Sequence, residues 1–168
     1  MKNLIIVLLF TCMQVMQSQN AVGFSASLDN KLTFLEDNHG NMPFTLDLST
    51  KMSLQGYQKK LGYLQIAIKY EYADLSSGDF HRYAAEVGYV FTNGALGLMP
   101  SVGYGFIGRE NRGSTQSWEF GIMPSFLIIP NLKLIVGFVW TERTDLLGQY
   151  RFNINTGLQF DIALKDYR

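Results

Sequence analysis

Charge is scarce in this chain of 168 residues: Asp, Glu, Lys and Arg make up 17% of it, and they cancel to a net charge of zero. A soluble domain typically carries about 25%, and a nucleic-acid binder concentrates Lys and Arg on one face. Neither the amount nor the balance points to nucleic acid or to a strongly acidic partner. Cysteine occurs once, at Cys12, so the chain beyond it has no disulfide to staple it and no thiol chemistry. Only four prolines accompany 16 glycines. Long apolar runs are missing too. The run from Leu4 to Phe10 is far below the roughly 20 residues of a membrane-spanning helix.

That short run has another use. Lys2 supplies a basic start, Leu4 to Phe10 an apolar centre, and a more polar tail follows to Ser18. This is the grammar of a secretory signal. Cleavage is expected after the small residue Ser18, giving a signal peptide over 1–18 and one domain over 19–168. A lipoprotein signal ending at Cys12 fits poorly, because Phe10 and Thr11 are large for the residues before such a site.

What the remainder has in abundance is alternation. In "YLQIAIKYEYA", Leu64, Ile66, Ile68, Tyr70 and Tyr72 share one parity, and Gln65, Ala67, Lys69, Glu71 and Ala73 the other. A period of two is that of a strand with one oily and one polar face. The same rule governs Pro43–Leu54, Arg82–Phe91, Leu98–Arg109, Trp118–Ile128, Leu132–Arg143 and Phe152–Ile162. It governs Val22–Leu35 more loosely, with Asn30 interrupting. Eight strands are predicted, with no helical periodicity after the signal. Pro124 falls in mid-strand, where a bulge is expected. The connectors alternate between longer polar ones, such as "DLSSGD" and "NRGSTQ", and tight turns, "TNGA" and "PN", with "QGYQKK" an overlong exception on the tight side.

Two observations set the direction of the oily face. The apolar parity carries no charge in the cores of the last seven strands, while the other holds Asp47, Lys51, Lys69, Glu71, Arg82, Glu86, Arg109, Glu119, Lys133, Arg143, Arg151 and Asp161. Aromatic residues also gather near strand ends on the apolar parity. Tyr72, Tyr83, Phe106, Trp118, Trp140 and Tyr150 lie by the longer loops, and Phe91, Phe126 and Phe160 lie by the turns. These are the two girdles expected at lipid–water interfaces. Glycines at 88, 103, 105, 121, 137 and 157 share the charged parity, which suits the inside of a narrow barrel better than a solvated surface. A secreted lipocalin-like barrel, with the oily parity lining a ligand cavity, is the inverted alternative.

In this pattern the chain resembles the small eight-stranded bacterial outer-membrane β-barrels of the OmpA/OmpX type. The resemblance covers nearly all of the chain after the signal, through architecture rather than a diagnostic motif. It implies an all-β, antiparallel, up-and-down transmembrane barrel in the outer membrane, embedded in its lipid. It further implies insertion by the barrel-assembly machinery, periplasmic turns and extracellular longer loops. Such families often end on an aromatic residue, whereas this chain ends "ALKDYR".

Candidate chemistry is thin, and neither a cofactor nor a metal is expected. "GYGFIG", Gly103 to Gly108, has the spacing of a dinucleotide-binding turn but lies within a strand instead of between strand and helix. His39 and His81 have no partner at metal-ligand spacing. No G-x-S-x-G elbow occurs, and no serine accompanies His81 on the oily face, so no catalytic residue is assigned. The informative set is the lumen charges near the longer loops. Counting residues around the loops pairs Glu71 with Arg82 and Arg109 with Glu119, and sets Arg143 opposite Arg151. That arginine pair calls for a counter-charge from Glu119, Asp47 or Glu142, or for a bound anion in a vestibule below the rim. The expected function is structural or interaction work at the cell surface. A narrow channel for small ions is the competing class.

Overall fold

The computed structural model describes residues 19–34, 41–76, 78–109, 112–143 and 149–164. The expected signal and its cleavage after Ser18, His39 and the closing residues 165–168 lie outside the described residues. Among the described residues eight strands run in chain order: β1 (Gln19–Asp29), β2 (Asp47–Gly56), β3 (Gly62–Leu75), β4 (Gly78–Asn93), β5 (Leu96–Arg109), β6 (Arg112–Ile129), β7 (Leu132–Arg143) and β8 (Gln149–Ala163). Each pairs antiparallel with its sequence neighbour, and β1 also pairs with β8, from Ala21↔Ala163 to Asp29↔Asn155. The sheet closes into a barrel and leaves no edge strand.

The alternation resolves as apolar residues outside and polar residues inside. Ile68 is 64% exposed and its neighbour Lys69 only 5%; Trp118 is 47% exposed and Glu119 only 2%. Of the predicted girdle, Tyr83, Phe106, Trp118, Trp140 and Tyr150 are exposed and Tyr72 is half-buried. Trp140 packs on Phe152 with ring centroids 4.8 Å apart, and Trp118 on Tyr104 at 4.9 Å. At the other end Phe91, Phe126 and Phe160 are likewise exposed.

Several local expectations change. The first segment does not continue as a strand to Leu35, because Asn30–Phe34 forms a short helix, α1. Asp29 starts it: its carboxylate accepts the Lys31 N–H at 2.9 Å, and its carbonyl accepts the Thr33 hydroxyl at 2.8 Å, as an N-cap residue does. A helix of five residues is too short to declare a period of 3.6. The second segment becomes strand only at Asp47, after a turn in which Thr45 N–H and hydroxyl both donate to the Met42 carbonyl. The connector "DLSSGD" shrinks, since Asp74↔Asp79 and Leu75↔Gly78 still pair. Most of "NRGSTQ" is likewise absorbed into β6.

Pro124 causes no bulge. The β6–β7 register is the same at Ile122↔Phe138 and Ser125↔Ile135 on either side of it, and the ladder lapses between them. Pro100 does the same between β4 and β5, where pairing lapses between Gly88↔Ser101 and Phe91↔Leu98. A missing N–H removes a bond without adding a residue.

Inward glycines let the narrow barrel close. A Cβ on Gly105 would lie 2.1 Å from the Tyr83 carbonyl oxygen, whereas one on Gly113 would meet nothing within 4 Å. Gly105→Ala is therefore expected to destabilise the barrel by about 1–3 kcal/mol, the usual range for overpacking, and Gly113→Ala to leave it unchanged. Urea unfolding of both variants in detergent micelles checks the difference.

Candidate functional site

The lumen is built in layers along the barrel axis. At the long-connector end, Leu32 of α1 drops among Ala73, Leu75, Phe80 and Ile107, all of them buried, and forms an apolar cap. Arg109 lies at this level, with its guanidinium 5.7 Å from the Phe80 ring centroid and Nη1 donating to the Gly78 carbonyl at 3.1 Å.

Below the cap lies an ionic layer centred on Glu119. Lys69 Nζ donates to its Oε2 at 2.9 Å, and Arg82 Nη1 donates to the same oxygen. Glu71 stands 3.6 Å from Lys69 and 3.9 Å from Arg82, so two carboxylates and two cations close a cluster. Arg82 Nε also donates to Ser117 Oγ at 3.1 Å, and that hydroxyl donates to the Glu142 carbonyl at 2.8 Å. Beside this cluster Arg151 Nη2 bridges Asp29 and Asp47, 3.0 Å from each. Further down, Lys51 pairs with Glu86 at 3.1 Å. Towards the tight-turn end, Lys133 pairs with Asp161 at 2.6 Å and donates to the Tyr63 hydroxyl at 3.2 Å. Gln55 and Gln159 both donate to the same carboxylate, at 2.6 and 2.8 Å.

Register and side-chain size explain who meets whom. The β2–β3 pairing sets Lys51 directly opposite Lys69, a destabilising arrangement for like charges. Each escapes by reaching elsewhere: Lys51 to Glu86 on β4, and Lys69 across the lumen to Glu119 on β6. Gly103 makes room, because β5 places it beside both Glu86 and Glu119. The same geometry places Gly105 between Ala84 and Ser117. The "GYGFIG" stretch is strand β5 throughout.

Two loop counts need correction. Glu71 does oppose Arg82. Arg109, however, opposes Arg112, and Glu119 opposes Gly103, six residues before Arg109, because β6 already begins at Arg112 and the whole ladder is set by that shorter connection. Arg151 opposes Thr141, and Arg143 opposes Gln149, so the two arginines do not face each other. Arg151 meets Asp47, one of the expected counter-charges, together with Asp29, which residue counting missed. The side chain of Arg143 is outside the described residues. On the outer face His81 opposes Tyr72 as counted, and its Nδ1 lies 2.9 Å from the Tyr70 hydroxyl. Among the described residues no group of three or more His, Cys, Asp or Glu is arranged to hold a metal ion.

Among the described residues the lumen encloses two small cavities. A cavity of about 20 Å³ lies among Ser27, Ser49, Lys51, Glu86, Glu119 and Asn155, and another of about 10 Å³ lies nearer the turns, beside Tyr63 and Met123. About 10–15 Å³ is one water molecule's worth on such a measure. No family model matches this chain, and no curated protein matches it in sequence. Solved structures do match. The outer membrane protein Ail of Yersinia pestis, in a phospholipid bilayer nanodisc, aligns over 86% of this chain and 100% of its own, at 15% identity and a TM-score of 0.55.

The fold is that of a small outer-membrane β-barrel.

The N-terminal β-barrel domain of Pseudomonas aeruginosa OprF matches over 86% of this chain and 98% of its own, at 13% identity and a TM-score of 0.60. The de novo designed TMB2.3 matches over 88% and 96%, at 15% identity and 0.52. That a designed protein shares the barrel underlines that this fold carries no particular activity.

Glu119 gives the lumen its most direct test. Glu119→Ala leaves Lys69 and Arg82, two buried cations, sharing Glu71 and is expected to cost about 3–5 kcal/mol. Removing the whole Lys51–Glu86 pair with Lys51→Met and Glu86→Leu is expected to be neutral or stabilising, since replacing both partners of a buried pair leaves no orphan. Urea unfolding of the two variants against the parent separates the outcomes.

Proposed function

We propose that this chain is an integral outer-membrane β-barrel whose role is structural or one of interaction at the cell surface, with a lumen sealed by its own side chains. The observation that carries the reading is the inside-out distribution: a closed barrel exposes large apolar residues around its girth while its buried interior holds Asp, Glu, Lys and Arg. A soluble ligand-binding barrel needs the reverse, an apolar cavity and a polar outside. In water the exposed band would be a severe aggregation liability; in lipid it is the surface that a transmembrane barrel requires.

In this reading Tyr72, Tyr83, Phe106, Trp118, Trp140 and Tyr150 form the girdle at the outer interface. The chain is inserted by the barrel-assembly machinery, both ends of the barrel domain face the periplasm, and the α1 end faces outward. Glu71, Arg82, Glu119 and Arg151 act as a structural plug, and no catalytic role is assigned. The apolar cap, the ionic layer and the small cavities argue against a narrow ion channel.

Two measurements test this. Folded in detergent, the chain from Gln19 onward is expected to resist SDS and to change its gel mobility only on boiling; solubility in detergent-free buffer with no shift would favour the inverted barrel. Reconstituted into planar bilayers, it is expected to give no stable discrete openings, whereas reproducible unitary steps would establish the channel.

A further inference from the structure

The connector between β2 and β3 breaks the rule of its end of the barrel. The β4–β5 and β6–β7 connections turn through two residues each, Gly94–Ala95 and Pro130–Asn131, whereas Tyr57 to Leu61 intervene here. The extra length is ordered by specific bonds. Lys59 N–H donates to the Gly62 carbonyl at 2.8 Å and Gly62 N–H to the Lys59 carbonyl at 3.1 Å, which folds the chain sharply through Lys60 and Leu61. Gln58 Nε2 donates to the Thr92 hydroxyl at 3.3 Å, and Thr92 N–H to the Leu61 carbonyl at 3.4 Å, tying the connector to the neighbouring β4–β5 turn. Gly62 has φ 142°, and a Cβ there would lie 1.8 Å from the Val90 carbonyl oxygen. Only glycine permits this close approach.

The folded connector overhangs a groove of about 310 Å³ on the barrel's outer face, lined by Leu54, Tyr57, Lys59, Leu64, Ile66 and Tyr89 among others. Leu54, Leu64, Ile66 and Tyr89 belong to the outward apolar parity, so the groove floor continues the lipid-facing band. Tyr57 and Lys59, which line it, are exposed, and Lys60 follows Lys59 in the exposed fold of the connector. An apolar trough with tyrosine and an ammonium group in its lining, and a second lysine next in the chain, complements a molecule with a hydrocarbon chain below and a negative charge above.

We propose that this groove is a binding site for one anionic phospholipid, with an acyl chain along Leu54, Leu64 and Ile66 and the phosphate end held by Lys59 and Lys60. The site rests on the membrane reading above. It accounts for the overlong connector: a two-residue turn would end at the barrel rim and carry no lysines over the lipid-facing surface.

The test reconstitutes the folded protein in nanodiscs of equimolar phosphatidylglycerol and phosphatidylcholine, releases it into mild detergent and counts retained lipids by native mass spectrometry. Phosphatidylglycerol is expected to be retained several-fold over phosphatidylcholine, and Lys59→Gln with Lys60→Gln to abolish that preference. Both lysines are exposed, and the boiling-dependent gel shift verifies that the variant is folded. Equal retention of the two lipids by the parent, or a preference that survives in the double variant, overturns the proposal. Failure to incorporate into nanodiscs at all would instead overturn the membrane reading.

Discussion

A carboxylate carried into a dry barrel interior must find cations at hydrogen-bond distance or give up its charge, and Glu119 finds two, Lys69 from β3 and Arg82 from β4. Much of the architecture follows from serving that contact. Gly103 leaves space beside it, Ser117 fixes the far side of the Arg82 guanidinium, and Glu71 adds a second negative charge to balance the second cation. Because the cluster draws on β3, β4 and β6, it ties together strands that are not all neighbours. A sheet closed only by backbone bonds would be fixed in register pair by pair; the lumen charges couple distant pairs.

Closure and orientation depend on the same segregation of charge. Backbone polar groups in a bilayer have to be bonded internally, and the β1–β8 pairing does this for the two strands that would otherwise be edges. With charges in the strand cores confined to one parity, the other can be apolar along the middle of each strand, and the band that results lies on the outside. The cap made by Leu32, Ala73, Leu75, Phe80 and Ile107 completes the separation, keeping the ionic layer away from water at the end where the longer connectors lie. A filled, capped lumen suits a protein that acts through its surface rather than through a passage.

The strand count, the direction of each face and the Glu71–Arg82 pairing were legible in the sequence, because a period of two is read locally and a tight hairpin preserves a residue count. The cross-lumen contacts were not. Lys69–Glu119, Lys51–Glu86 and Arg151–Asp29 join residues 50, 35 and 122 positions apart, and no local period reports which charges meet across a barrel. Counting failed at Arg109 because β6 begins at Arg112, which sets the whole ladder six residues away from the counted register, and at Arg143 because Arg151 sits opposite Thr141. The short helix α1 carried one local signal, Asp29 as an N-cap, but its single inward residue, Leu32, only acquires meaning once the barrel mouth is closed around it.

The claim on which all of this rests is that the oily face of each strand points outward. Single spin labels placed along β3 from Leu64 to Tyr72, in a chain from Gln19 onward and reconstituted in phospholipid bilayers, test it residue by residue. The account predicts high collisional access to oxygen at 64, 66, 68, 70 and 72, and immobile, oxygen-poor labels at 65, 67, 69 and 71. The opposite phase, or uniform access to a water-soluble nickel reagent along the strand, would contradict it.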